Sequence, residues 1–238
     1  MYGWRAKIGL LVPSVNTTME PDFWMLAPEG VTIHSTRLKT DRMATFEALE
    51  NMEKDTEVGA EQLADAEVDV IAYGCTSGSF IGGHEWNKQI MAKIQNKTGI
   101  PSITTTEAMI RGLEEKGIKK VSVVTPYVAK TNEQLKKYLN EAGIEVLDLQ
   151  AFEMLNGFDH AKIEPWQVFE MVRKADKPEA QGVFISCTQL RALPVLNPLE
   201  EDLRKPVISA NQATLWLALK IAGFRGRIDG YGSLLLSL

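Results

Sequence analysis

Cysteine and histidine are scarce in this chain, which carries two of the first and three of the second in 238 residues. Two thiols more than a hundred residues apart cannot form the disulfide framework of a small secreted domain. With neither a Cys-x-x-Cys pair nor a Cys/His ligand spacing, no metal site is expected. Positive charge is also short: 26 Lys and Arg face 31 Asp and Glu, a net charge of −5. No basic stripe exists to displace phosphate counterions, which excludes a nucleic-acid partner and points to a small one. Long apolar runs are missing too. The opening MYGWRAKIGLLVP reaches Pro13 after only a few apolar residues, too short for a signal-peptide core or a bilayer span, and no later run approaches that length. No membrane association is expected, and free thiols fit a reducing cytoplasm.

What is present is an ordinary globular composition, 45% hydrophobic and 24% charged, long enough for one large α/β domain or two small lobes. Short β-branched runs alternate with longer segments of helical spacing. The strand candidates are KIGLLVP, VTIHSTRL, VDVIAYG, PSITT, VSVVTP, IEVLDLQ, GVFISC and PVISAN. Residues 44–66, 84–97, 106–116, 131–142, 165–175 and 213–222 carry apolar side chains at helical intervals. Strands that are apolar throughout are covered on both faces, which implies parallel sheets flanked by helices.

The chain also repeats itself. GLLVPSVNTTMEPDFW and SVVTPYVAKTNEQLKKYL share a strand, a proline, a polar loop and a helix; AYGCTSGSF and FISCTQLRA follow at nearly equal distance, and then GIPSITTTEAM and KPVISANQATL. Three matched landmarks in one order predict two pseudo-symmetric α/β lobes, each with a four-stranded, mainly parallel sheet. The expected boundaries are 1–117 and 118–238, the C-terminal end of the chain packing back onto the first lobe and the two lobes forming one catalytic unit. Ligand sites in such sheets lie at the carboxyl ends of the strands, so Cys75 and Cys187 are expected on opposite walls of one inter-lobe cleft.

A lone free cysteine is more often a small buried hydrophobe, but matched positions at two strand ends favour chemistry. The loop after the first strand, with Pro13, Ser14 and Asn16, could be a simple helix cap or could hold a carboxylate with neutral donors. Thr76 and Ser77 follow Cys75 with small side chains, Thr188 follows Cys187, and Tyr127 at the matching loop of the second lobe is a core cap by default. His34, His84 and His160 fit none of the matched patterns and read as surface or satisfied polar residues. The acidic stretch from Glu47 to Glu67 reads as a solvated face.

Taken together, VPSVNTTME, HSTR, the Cys-Thr-Ser loop, VTPY, ISC and the closing GYGSLL resemble the Asp/Glu racemase superfamily. The resemblance is nearest to its branch of maleate cis-trans isomerases and arylmalonate decarboxylases. It implies two α/β lobes with the site between them, no cofactor, and commonly a homodimer or higher homo-oligomer. Decarboxylases of this branch keep only the second-lobe cysteine, so Cys75, Cys187 and Asn16 together favour the isomerase side. MLNGFD places Asn156 one position before the family's asparagine, with Gly157 at the matching site; Asn156 is retained as a candidate.

By this resemblance the substrate is a small mono- or dicarboxylic acid. Cys75 would add to the alkene of a cis-butenedioate while Cys187 moves a proton, which requires one thiol lowered and the other left protonated. Two-thiol racemisation of an amino acid, decarboxylation of a malonate and non-catalytic binding of a carboxylate stay open at this point.

Overall fold

The structure is a computed structural model and describes residues 2–238. The first lobe comprises β1 (Ala6–Pro13), α1 (Met19–Leu26), β2 (Val31–Leu38), α2 (Phe46–Glu53), α3 (Thr56–Ala64), β3 (Val70–Tyr73), α4 (Thr76–Phe80), α5 (Gly83–Thr98), β4 (Ser102–Thr104) and α6 (Thr105–Glu115). The second comprises β5 (Lys120–Thr125), α7 (Ala129–Glu141), β6 (Glu145–Ala151), α8 (Pro165–Ala175), β7 (Gly182–Ile185), α9 (Leu193–Leu203), β8 (Val207–Ser209) and α10 (Ala210–Ile221), with 3-10 turns at Gly157–Lys162 and Ser233–Ser237. Among the described residues no helix is long and apolar enough to cross a membrane.

Each lobe holds a four-stranded sheet, ordered β2-β1-β3-β4 and β6-β5-β7-β8, and every neighbouring pair is parallel. The two orders are the same order. The inner strands β3 (VIAY) and β7 (GVFI) are buried at every residue, as strands roofed by helices on both faces must be. The repeat extends to the caps: Thr104 takes the Glu107 N–H at the start of α6, and Ser209 takes that of Gln212 at the start of α10.

Four helices differ from the sequence pattern. The single helix expected over 44–66 is two, because the chain leaves α2 at Lys54 and restarts as α3; Leu49 and Met52 turn inward. The first is capped by Thr45, whose hydroxyl accepts the Ala48 N–H. The prolines at 194 and 198 obscure α9, yet Pro194 falls in the first turn, where a missing N–H costs nothing, so only Pro198 breaks the ladder. The short α4 begins at the residue after Cys75, in a stretch whose small polar residues gave no helical period.

The lobes pack through α6 against α10, where Gly112 lies against Ala213, Ile208 and Leu234, and polar contacts tie them together beneath the strand ends. Gln189 of the second lobe accepts the Thr17 N–H at 2.8 Å and donates to the Val15 carbonyl at 3.0 Å, and its own carbonyl accepts the Thr18 hydroxyl at 3.1 Å. A strap crosses higher up, where the Gly157 N–H donates to the Arg42 carbonyl at 2.7 Å and the Ala44 N–H to that of Leu155 at 3.0 Å. At the base, Asn211 on α10 donates to Asp22 on α1 at 2.7 Å and to the Thr188 carbonyl at 3.1 Å.

Asp22 is the one buried carboxylate of this junction. Burial raises it to about 7, only partly opposed by the Asn211 hydrogen bond. A carboxyl raised on folding favours the native state fully below its unfolded pKa of 3.8, and that contribution is lost as pH rises through about 7. The Asp22→Asn variant should therefore gain stability over the wild type as pH rises from acid to pH 8. The expected gain is on the order of 3 kcal/mol, or roughly 5–10 °C in Tm. Thermal melts of both proteins across that range check it; a difference that stays flat with pH overturns the assignment.

Candidate active site

The site grows from the two strand ends. The Gly74 N–H donates to the Leu11 carbonyl at 2.7 Å and the Ser186 N–H to that of Val124 at 2.8 Å, so both chains leave their sheets at matching points and turn at Cys75 and Cys187. Both cysteines are free and buried. They line one cavity of about 60 Å³, room for roughly two waters at ~30 Å³ each. Its walls include Pro13, Asn16, Thr76, Ser77, Tyr127 and Thr188, together with Val15, Leu49, Met52, Gly157, His160 and Gln189.

The first-lobe thiol is a helix cap. Cys75 has ordinary extended backbone, and its sulfur accepts the Gly78 N–H at 3.3 Å, with the Ser77 hydroxyl at 3.8 Å. Gly78 leaves little space there: a Cβ would stand 3.0 Å from the Cys75 sulfur and 3.0 Å from the Tyr73 hydroxyl. The second-lobe thiol is held differently. Cys187 has φ +117°, backbone that L residues rarely adopt, and a strained turn of that kind is maintained only where its surroundings fix it. Its sulfur accepts the Gln189 N–H at 3.4 Å and faces His160 Nδ1 at 3.6 Å.

Neutral donors and acceptors surround the thiols. Asn16 caps α1, its Oδ1 accepting the N–H groups of Thr18 and Met19, and its Nδ2 donates to the Thr188 hydroxyl at 3.0 Å. One Asn16 amide proton remains for a ligand. The Thr188 hydroxyl in turn donates to the Gly74 carbonyl at 3.3 Å. Thr76 Oγ1 is buried without a partner, the kind of group a ligand satisfies. The Tyr127 phenol accepts from the Ser186 hydroxyl at 3.4 Å.

Burial dominates the titration of this pocket. It pushes Cys187 up to about 12, against the Gln189 N–H and the Tyr127 phenol. It also raises Cys75, against the Gly78 N–H and the Ser77 hydroxyl, and it holds Tyr127 well above its usual range. The expectation that one thiol would be lowered is corrected: the sheet ends deliver both into a site dry enough to favour the neutral form.

Two expected ligand residues lie elsewhere. Ser14 is outside the cavity; its hydroxyl accepts the Thr40 N–H at 3.1 Å and so ties down the strap. Asn156 is outside as well, because its Oδ1 accepts the Phe158 N–H at 3.2 Å as the cap of the 3-10 turn, and Gly157 faces the cavity in its place. Leu49 and Met52, within the stretch read as a solvated face, are walls of the pocket. His160, read as a bystander, is 2% exposed and touches Cys187. The inward face of α2 was visible as Ala48, Leu49 and Met52 at helical spacing. Nothing in the sequence marked His160, because a 3-10 turn has no lasting period and its counterpart in the first lobe is absent.

With this geometry in hand, likeness to known proteins is specific. The family model described as arylmalonate decarboxylase matches residues 8–235. A maleate isomerase of Geobacillus stearothermophilus is 31% identical, with 96% of each chain covered. A cysteine-to-alanine variant of the maleate isomerase Iso from Pseudomonas putida S16, solved with maleate, superposes with a TM-score of 0.93 at 32% identity over 98% of each chain. A cysteine-to-serine variant of the Nocardia farcinica maleate cis-trans isomerase, with a covalently bound succinylcysteine intermediate, gives 0.92 at 26% identity over 97% of this chain and 98% of that one. A duplicated sheet, a thiol at each matched strand end and sequence likeness along nearly the whole length agree, and the chain belongs to the arylmalonate decarboxylase family, on the branch of the Asp/Glu racemase superfamily that also holds the maleate isomerases.

Proposed function

We propose that this protein is a cofactor-independent cis-trans isomerase of a small butenedioate, converting maleate to fumarate, with Cys75 as nucleophile and Cys187 as proton donor. The observation that carries the reading is the pair of free thiols, one from each lobe, on the lining of a single small cavity. The relatives solved with maleate and with a succinylcysteine support it.

In the proposed first step the Cys75 thiolate forms a C–S bond at one alkene carbon, and the π electrons move to the neighbouring carbon and its carboxylate. Cys187 gives its proton to that carbon, leaving a single bond free to rotate. After rotation Cys187 takes the proton back, the alkene reforms, and the C–S bond breaks to release Cys75 as thiolate. Charge gathers on a carboxylate during addition, where Asn16, Thr76, Ser77, Thr188 and Tyr127 supply polar hydrogens and Arg42 also lines the cavity. A reducing cytoplasm that keeps both thiols free, and a homodimeric or higher assembly, belong to the same reading; light scattering on the purified protein checks the assembly.

NMR of the protein with maleate should show fumarate appearing, and Cys75→Ser should abolish it. Cys187→Ser should retain addition but not release, so mass spectrometry should find Cys75 heavier by one molecule of maleate. Exchange of an amino-acid α-hydrogen in deuterated water, or carbon dioxide from a malonate, with maleate untouched, would replace isomerisation by racemisation or decarboxylation.

Asn16→Ala should lower kcat roughly a hundredfold, since it removes a donor aimed at the developing charge. Loss confined to KM would make Asn16 a ground-state binder instead.

Because burial holds Cys75 above the usual thiol range, its reactive fraction is small at neutral pH and grows with pH. The ratio kcat/KM should accordingly climb by up to about tenfold per unit between roughly pH 6 and 8. A plateau through that interval contradicts the assignment of Cys75 as the ionising nucleophile.

A further inference from the structure

Duplication places the two thiols alike, yet the proposed chemistry needs one ionised and one protonated. His160 breaks the tie. Its Nε2 lies 3.0 Å from the Met154 carbonyl, and a carbonyl only accepts, so Nε2 carries the ring proton. The imidazole is buried, which holds it below the usual histidine range and therefore neutral. A neutral ring protonated at Nε2 presents a lone pair at Nδ1. That lone pair faces the Cys187 sulfur at 3.6 Å, inside the reach of a sulfur hydrogen bond.

The two sulfurs thus have different partners. Cys187 has donors in the Gln189 N–H and the Tyr127 phenol and, unlike Cys75, an acceptor, His160 Nδ1, to which its thiol can donate. Cys75 has the Gly78 N–H, which can only donate and so stabilises negative sulfur, and the Ser77 hydroxyl, which can do the same. A hydrogen bond to a neutral form opposes ionisation, and one to the charged form favours it.

Resting on the isomerase reading, we propose that His160 is a positioning residue that accepts the Cys187 S–H at Nδ1, holding Cys187 as the thiol and leaving Cys75 as the one that ionises. When Cys187 gives its proton to the substrate carbon, the S–H bond breaks, a C–H bond forms and the electron pair stays on sulfur. The resulting thiolate faces the Nδ1 lone pair, an unfavourable contact that is relieved when the same sulfur recovers its proton. The other titratable groups about the imidazole are the Tyr127 phenol, edge-on at 6.1 Å between ring centroids, Asp159, which pairs with Lys162 at 2.6 Å, and Asp41 and Arg42, which line the same cavity, Arg42 stacking on Phe158. Cys75 lines the same cavity. Of these, Cys187 is the group within hydrogen-bond reach of Nδ1.

The test is nitrogen-15 NMR of the histidine rings in the full chain, with His160 assigned by loss of its signals in His160→Asn. The expected spectrum is a neutral, Nε2-protonated ring across neutral pH, with an Nδ1 resonance that moves in Cys187→Ala while Nε2 stays. Alongside it, limited alkylation of the wild type at neutral pH, read by mass spectrometry, should label Cys75 at least about tenfold faster than Cys187. An Nδ1-protonated or charged ring, an Nδ1 signal indifferent to Cys187→Ala, or faster labelling of Cys187 overturns the proposal. In turnover, His160→Leu should lose kcat on the order of a hundredfold with KM nearly unchanged, and His160→Asn, whose amide oxygen can take the place of Nδ1, should recover much of it. Spectra and labelling as expected with no conversion of maleate would sink the isomerase reading and leave the role of His160 standing. Conversion of maleate with an Nδ1-protonated ring would do the reverse.

Discussion

The whole site hangs on the way the Cys-Thr-Gln turn of the second lobe is fastened to the first. Thr188 is bonded to Asn16 and to the Gly74 carbonyl, and Gln189 to Val15, Thr17 and Thr18. These contacts sit one and two residues beyond Cys187 and one residue before Cys75, so the bonds that join the lobes also fix the two sulfurs relative to each other. Catalysis by two groups on separate bodies works only if those bodies keep the reacting atoms in position. Each of these bonds is net modest in energy, but leaving any buried member unpaired would cost a full desolvation penalty, which makes the junction specific as well as stable.

The same burial that makes the junction specific makes the thiols reluctant to ionise. Both are raised, and Cys187 to about 12. For a transient addition this serves a purpose: a thiolate poorly stabilised at rest gains by spending its charge on a new bond, and the charge that appears on the substrate meets neutral hydrogen-bond donors already in place. Preorganised dipoles in a largely desolvated site stabilise charge as it develops. The pocket walls Leu49 and Met52, delivered by α2, keep that site dry.

Much of this was legible in the chain itself because it depends on periodicity and on repetition. All eight strands were visible as β-branched runs, and the matched Pro, Cys-Thr and cap positions foretold sheets with one shared strand order. What was hidden followed from side-chain direction and from loops. Ser14 and Asn156 are the residue types that bind carboxylates, but the same short polar side chains bond to nearby backbone, and here that local use won. The acidic run over α2 and α3 looked solvated because its charges outnumber its apolar residues, although three apolar positions at helical spacing suffice to bury one face. Cys187 could not be foreseen at φ +117°, since no turn signature requires that backbone of a cysteine.

A duplicated fold that evolves a two-step proton and carbon chemistry faces a conflict between its symmetry and its task. Equivalent strand ends give equivalent sulfurs, and equivalent sulfurs in one dry cavity would share a single proton affinity and compete for a single role. Around the sulfurs the structure departs from symmetry beyond the strand ends, where drift is cheap. After Cys75 the chain enters α4 at once and turns a backbone N–H onto the sulfur; after Cys187 it passes through a strained turn and does not become helical until Leu193. His160, on a 3-10 turn with no first-lobe counterpart, then supplies the one basic lone pair at hydrogen-bond distance from either sulfur among the described residues. The duplicated core brings the sulfurs together, and the unduplicated loops give them different work.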